Sequence, residues 1–546
     1  MNKLTNILGG TGMNKKWLLA GTNLMTASVL VFSGCAGGSV ESEKKTQKAE
    51  IQFPLEKSVQ LKMFANTAPQ VKKDYNEMLL FKNLQKQTNV QVNWTLVSQE
   101  QVLEKKNIMI ASGDLPDAFY GRGVLTDQEV VSLGSQGAII PLEGLIEAYA
   151  PNLKKVLEKR PELKKLITAP DGHMYSLPLL IERQMNTIPS VLFINKKWLD
   201  KLGLPMPTTL DEFYTALKAF KDKDPNGNGK NDEIPFSFLF NNSSMGSNSM
   251  VGSFGVKMDP PQSHLYLDNG KLKYAPAQPE YEAYLQYLSK LFKEKLLDQE
   301  VFTHSQNAFT TKIIDKEEVL GAFFGFTESS YFGTPSEDYA PVMPLKGVSG
   351  EQGGWLRVPS AISVGSFAIT NKNKNPEVTM KWMDMMYEPK LSFQFNAGPF
   401  GVTLKENPDG SIEKLSPPKD VGLEIFKHTE GPGNGATVIM LKDIVDKFID
   451  PQADEKWEYY NLYDKYASKE MIPSMLWSLE DVEKERQFGM DLHAKNAYYD
   501  STFAKFVMNG FTHADWENHL NQLKKLKIDD YVMLNQKYYD AFIGKK

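Results

Sequence analysis

Between residues 54 and 119 the chain switches repeatedly between two periods of apolar and polar positions. Val59-Gln60-Leu61-Lys62-Met63-Phe64 alternates like a strand with one buried face. A helical pattern follows over residues 75–87, and Val90-Gln91-Val92-Asn93-Trp94 alternates again. Residues 99–112 return to the helical period and stop at Gly113, the residue type that ends helices. A third extended run, Leu115-Pro116-Asp117-Ala118-Phe119, comes next. Strand, helix, strand, helix, strand in that order predicts a parallel sheet covered by helices. Ligands of such sheets bind in the crevice at the carboxyl ends of the strands.

Further along, residues 196–202 and 209–220 read as helices, the second opened by a Thr209-x-x-Glu212 capping box. Residues 281–295 form an amphipathic helix. A strand-like run at 361–370 precedes a helix at 376–387, and residues 479–542 are almost wholly helical. Met and aromatic stripes in that last stretch, and Trp198 in its helix, read as core positions. A chain of 546 residues predicts two or more cooperating lobes. A mean hydropathy of −0.38 argues against a multi-pass membrane protein. Lys and Arg number 62 against 67 Asp and Glu, which leaves no basic excess for nucleic acid. The single cysteine excludes an intramolecular disulfide and a Cys-based zinc cage. Zincin, P-loop and Gly-x-Ser-x-Gly motifs are absent, as is any internal repeat.

The one cysteine ends the one signal-like segment. Lys15 and Lys16 precede an apolar run that closes with Val29-Leu30-Val31-Phe32, the length of a signal peptide rather than a membrane span. Phe32-Ser33-Gly34-Cys35 resembles a bacterial lipobox, with Phe32 where Leu is usual. Residues 1–34 are therefore expected to be a leader, its true start at Met13, and Cys35 the lipidated residue. Residues 35–53, small and charged, read as a flexible tether. The mature protein is expected outside the cell, held to the membrane by lipid.

Residues 224–235 carry the sharpest chemistry. Asp224, Asn226 and Asn228 occupy positions 1, 3 and 5 of an EF-hand-type loop. Gly229 takes the sharp turn at position 6, Lys230 offers its carbonyl at position 7, and Asp232 stands at position 9. Alternate residues let one tight loop wrap oxygens around a hard cation. Position 12 is Pro235 rather than Glu, so Glu233 is the substitute ligand, and Ile234-Pro235-Phe236-Ser237 reads as extended instead of a second helix. The expectation is a structural calcium site, not a sensor; the alternative is an Asn-Gly turn cluster that binds nothing.

Several segments together resemble the family 1 extracellular solute-binding proteins of ABC importers, in particular their large LipO-like lipoproteins. These are Ala111-Ser112-Gly113-Asp114-Leu115-Pro116-Asp117, Asp171-Gly172-His173-Met174-Tyr175-Ser176-Leu177-Pro178 and the run from Leu192 to Gly203. Pro207-Thr208-Thr209-Leu210-Asp211-Glu212-Phe213 and the segment from Ile369 to Trp382 complete them. The resemblance implies a two-lobed periplasmic-binding-protein-like α/β fold of type II with a helical C-terminal region, closing on ligand at a hinge. It places crossings near 179–181, 364–367 and 401–402. Lobe one is then 54–180 with 365–401, and lobe two 181–364 with 402–546. It also implies a structural calcium on the loop just described, no catalytic residues, an oligosaccharide ligand and a permease partner, with the chain a monomer.

Sugar sites offer aromatic faces to pyranose C–H groups and polar side chains to hydroxyls. Trp355, beside Gly353 and Gly354, is the first candidate platform, with Arg357 to hold an acidic sugar and Tyr331 and Trp477 as further rings. Asp117, placed after the third strand, and Glu182 and Arg183, just past the first crossing, are the polar candidates. A peptide or other polar solute is the alternative ligand. A secreted glycoside hydrolase would need two carboxylates about 5–10 Å apart, but no hydrolase motif supports it. A surface adhesin is the third class.

Overall fold

The computed structural model describes residues 50–67, 71–98, 101–261, 263–332, 336–418, 426, 428–449, 451–492 and 497–545. The leader at 1–34, Cys35 and the tether up to residue 49 lie outside the described residues.

The alternating runs pair as their period requires. β1 (Val59–Thr67) and β2 (Val90–Ser98) run parallel, in register from Val59↔Val90 to Thr67↔Ser98, and β3 (Ala118–Tyr120) lies parallel on the other side of β1. The helix Leu79–Thr88 makes the crossover; Asn89, in the left-handed region at φ 56°, ends it and turns the chain into β2. β4 (Leu177–Ile181) is joined to β3 through β11 (Ala361–Ile369), which runs antiparallel to both. β14 (Ile439–Met440) adds parallel to β4, giving the order β14-β4-β11-β3-β1-β2.

A second sheet is built from β5 (Val191–Asn195), β6 (Ile234–Ser237), β9 (Leu320–Gly325) and β10 (Tyr339–Val342), in the order β10-β5-β9-β6. The expected capping box opens the helix Leu210–Asp222 over this sheet, Glu212 N–H donating to Thr209 Oγ1 at 3.1 Å. A hairpin, β7 (Leu265–Asp268) with β8 (Lys271–Tyr274), packs against C-terminal helices through Leu492, Leu523, Ile528 and Tyr531.

Each large sheet has its own core. The chain passes from the first core to the second between Ile181 and Met185, returns between Leu356 and Val364, and leaves again between Val445 and Tyr459. Two expected boundaries differ from this packing. Residues 364–367 lie inside β11, where Phe367 pairs with both Tyr120 and Leu177. Leu404 of β12 (Leu404–Glu406), Ile412 of β13 (Ile412–Lys414) and Ile439 pack in the first core rather than the second, because β14 completes the edge of β4. The tether also stops early: Lys381 donates to the Ile51 carbonyl, and Phe53 packs on the first core.

Asp384 shows how distant segments are fastened. From the helix Pro376–Met385 it accepts the N–H groups of Asn152 (3.0 Å) and Leu153 (2.8 Å), at the amino end of the helix Pro151–Lys159. Burial raises its carboxyl from 3.8 to about 6 despite those bonds. The native state thus binds this proton more tightly than the unfolded chain, so the group's contribution falls as pH rises from about 4 through 6. Asp384→Asn imitates the protonated form. Its melting temperature should therefore gain on the parent between pH 4 and pH 7, by at most about 3 kcal/mol of stability; a pH-independent difference would contradict this reading.

Candidate functional site

Parallel β1 and β3 end side by side, and two loops are stitched over their carboxyl ends. Asn66, nearly buried, donates from Nδ2 to the Arg122 carbonyl at 3.0 Å. Gly121 N–H donates to the Ser366 carbonyl at 2.9 Å, and Arg122 N–H to the Gly435 carbonyl at 3.2 Å. Gly121 has φ 123°, and a Cβ there would lie 2.3 Å from Asn66 Oδ1, so only glycine fits. The Arg122 side chain is left exposed, with no hydrogen bond or ion pair among the described residues. A free guanidinium thus stands where a ligand of this sheet is expected. The sequence reading passed over it, although Gly121-Arg122-Gly123 after a short strand was the signal.

Across the molecule, β9 ends in a cluster of buried ionisable groups. Glu455 accepts the N–H of Glu328 (2.7 Å), the hydroxyl of Tyr459 (2.9 Å) and the hydroxyl of Ser329. Burial, then the nearby Glu455 and Glu458 carboxylates, pushes Glu328 up to about 7. Lys456 is 2% exposed and donates to the carbonyls of Ile188 (2.9 Å) and Phe326 (3.0 Å), with the Phe326 ring 3.9 Å from Nζ. Burial lowers it to about 7.

The candidates of the sequence reading fall in different places. Trp355 is 2% exposed; Nε1–H donates to the Ser190 carbonyl at 2.9 Å, and its ring lies 4.8 Å from that of Tyr463. It is a core residue with no face open to a sugar. The neighbouring glycines serve close backbone packing: a Cβ on Gly354 would lie 2.4 Å from the Val256 carbonyl oxygen. Arg357 is committed to protein groups, donating to Asp464 Oδ1 (2.5 Å), the Ser468 carbonyl (2.7 Å) and Thr187 Oγ1 (3.2 Å).

Glu182 grips Arg160 through two bonds of 2.6 and 2.9 Å and accepts Lys442 N–H at 2.8 Å. Arg183 lies with its guanidinium 5.8 Å from the Phe448 ring. Asp117 precedes β3 instead of following it, and accepts Lys62 N–H at 2.7 Å. That is the amino end of the strand, away from the crevice. Tyr331 is half-buried just beyond β9, edge-on to Phe323 at 5.7 Å. Trp477 is half-buried against Tyr538 at 4.3 Å.

The acidic loop turns as its sequence demands. Gly227 and Gly229 take φ of 77° and 73°. Asp224 gathers the N–H groups of Gly227 (2.9 Å), Asn228 (3.1 Å) and Gly229 (3.0 Å). Asn228 Oδ1 accepts Lys230 N–H at 2.8 Å, and Asp232 takes the amide groups of Asn226 and Asn228. Both oxygens of Glu233 are buried with no hydrogen-bond partner. Burial first, and Asp224 and Asp232 next, hold that carboxyl above its usual range. Among the described residues, no three His, Cys, Asp or Glu side chains close into a metal cage. The donor set of carboxylates, amide oxygens and a carbonyl, with an orphaned Glu233, nonetheless suits a hard divalent cation.

Trp355→Ala should act on folding, costing about 3–5 kcal/mol, so the loss should appear in a urea denaturation curve taken without any ligand. Unchanged stability would return Trp355 to the list of ligand contacts.

Residues 68–391 match the model of the bacterial extracellular solute-binding protein family. The fructooligosaccharide ABC transporter substrate-binding protein FusA of Streptococcus pneumoniae is 33% identical over 541 residues, 96% of this chain and 98% of that one. Lipoprotein LipO of Bacillus subtilis is 29% identical over 413 residues, covering 74% of this chain and 76% of that one. FusA in complex with kestose superposes with a TM-score of 0.80 at 32% identity, over 89% of this chain and all of the other. A FusA EF-hand mutant in complex with fructo-nystose superposes at 0.78, with 31% identity over 89% of this chain and all of the other. The fold is the two-lobed one of these proteins, and the chain belongs to the bacterial extracellular solute-binding proteins, the substrate-binding components of ABC importers rather than enzymes.

Proposed function

We propose that this protein captures a short fructan-type oligosaccharide between its lobes and passes it to an ABC permease, held at the cell surface through Cys35. The carrying observation is the full-length likeness to FusA, whose kestose complex has the same fold. Lobe one then comprises residues 54–181 with 361–445, and most of the remaining body forms lobe two. Arg122, its loop fastened by Asn66, supplies the polar face on lobe one, and Tyr331, half-buried beyond β9, is the ring on lobe two. The Arg122 guanidinium has donors for sugar hydroxyl oxygens, as it has for a carboxylate; the choice of a neutral fructan rests on the likeness to FusA. Trp477, Arg183, Glu182, Asp117, Arg357 and Trp355 are not part of this site.

Asp224, Asn226, Asn228, the Lys230 carbonyl, Asp232 and Glu233 hold a structural calcium in this reading. The ion would neutralise three carboxylates gathered in one loop and give Glu233 the partner it lacks. The FusA EF-hand mutant is consistent with such a loop in a relative.

Kestose at 100 times its dissociation constant should stabilise the protein by about 2.7 kcal/mol, read as a rise in melting temperature, with acidic oligosaccharides and oligopeptides as controls. A rise with peptides alone would change the cargo. Arg122→Ala should weaken kestose binding by about tenfold, roughly 1.4 kcal/mol, while leaving the unliganded melting temperature unchanged. Wild-type affinity would remove Arg122 from the site. Adding calcium to chelator-stripped protein should raise the melting temperature, and Glu233→Gln should reduce that rise; no response to calcium would disprove the metal site.

A further inference from the structure

Resting on the two-lobed reading, the crossings carry one more inference. The helix Pro451–Tyr463 lies against the first crossing and presents Lys456 and Tyr460 at a spacing of four, one stripe of a helical surface. Asp464 continues that surface, its N–H bonded to the Tyr460 carbonyl at 2.8 Å. Lys456 holds the Ile188 carbonyl of the first crossing and the Phe326 carbonyl at the end of β9. Tyr460 accepts Gln184 Nε2 at 2.7 Å. Asp464 takes Arg357 of the second crossing, which also reaches Thr187 of the first. The two crossings bond directly, Val358 N–H to the Thr187 carbonyl at 2.9 Å.

On the other side, the crossings are fixed to the first sheet. Glu182 N–H bonds the Met440 carbonyl at 2.9 Å, and its carboxylate holds Arg160. Ala361 pairs with Ile181. One residue, Arg183, separates the two anchorages on the first crossing. Two residues, Pro359 and Ser360, separate them on the second.

We infer that the stripe Lys456–Tyr460–Asp464 makes the helix Pro451–Tyr463 a rigid plate to which the first two crossings are clamped, and that these two crossings turn at Arg183 and at Pro359–Ser360. Arg357 is then a positioning residue of the trap: it ties the second crossing to the plate and sets where bending happens. An equal share of motion along the whole of each crossing would break the Val358–Thr187 bond at each cycle; the plate spares it.

Amide hydrogen exchange on the full chain, with and without kestose, tests this. Val358 should exchange as slowly as β5 and be unmoved by ligand, whereas amides at Arg183 and Ser360 should change protection on closure. Arg357→Gln should release the second crossing, speeding Val358 exchange by about tenfold or more and kestose dissociation by about fivefold. Arg357→Lys, which keeps the charge on Asp464, should recover part of both. If Val358 exchanges as fast as Ser360, or if Arg357→Gln changes urea stability without altering Val358 exchange, the plate does not exist. Should kestose fail to bind the parent protein, the sugar assignment falls alone, because the Val358 pattern is decided in the unliganded chain.

Discussion

Withdrawing a cation from water costs several kcal/mol unless fixed dipoles or counter-charges replace its hydration. This molecule does so for Arg357 at the joint between its cores, and in part for Lys456, which burial still lowers to about 7. Lys456 has two backbone carbonyls and an aromatic face, and Arg357 has a carboxylate, a carbonyl and a hydroxyl. Each set of partners comes from segments far apart in sequence. Satisfying the charge therefore requires those segments to meet in one geometry, which is how a polar joint acquires a defined position without a large apolar interface.

The same economy divides the labour of the chain. Over the carboxyl ends of the first sheet, Gly121 closes tightly onto Asn66, which leaves the Arg122 guanidinium as the exposed group. Polar residues that look equally available in sequence, Glu182 and Arg357, are committed to holding the joint. A trap needs both kinds: groups waiting for ligand, and groups that never leave their protein partners while the lobes move.

Local signals were legible in the sequence wherever the determinant was local. The alternation in β1 and β2, the Thr209–Glu212 box and the turn at Gly229 all survive because neighbouring residues set them. Determinants at long range were not legible. β14 has two residues, too few to show a period, yet its pairing with β4 goes with the placing of Leu404, Ile412 and Ile439 in the first core. The helix Val102–Ser112 buries Lys106 on Glu129 and the Val124 carbonyl while Leu103 and Ile108 face solvent, against its own apolar pattern. The glycines beside Trp355 suggested a ring standing free, but they serve backbone contact with Val256, a partner about a hundred residues away.

The central claim is capture by closure about the joint. Small-angle X-ray scattering of calcium-loaded protein, with and without saturating kestose, tests it most directly. The account predicts a smaller radius of gyration with kestose and no change with an unrelated peptide. Binding of kestose, established by calorimetry, with an unaltered scattering profile would contradict it.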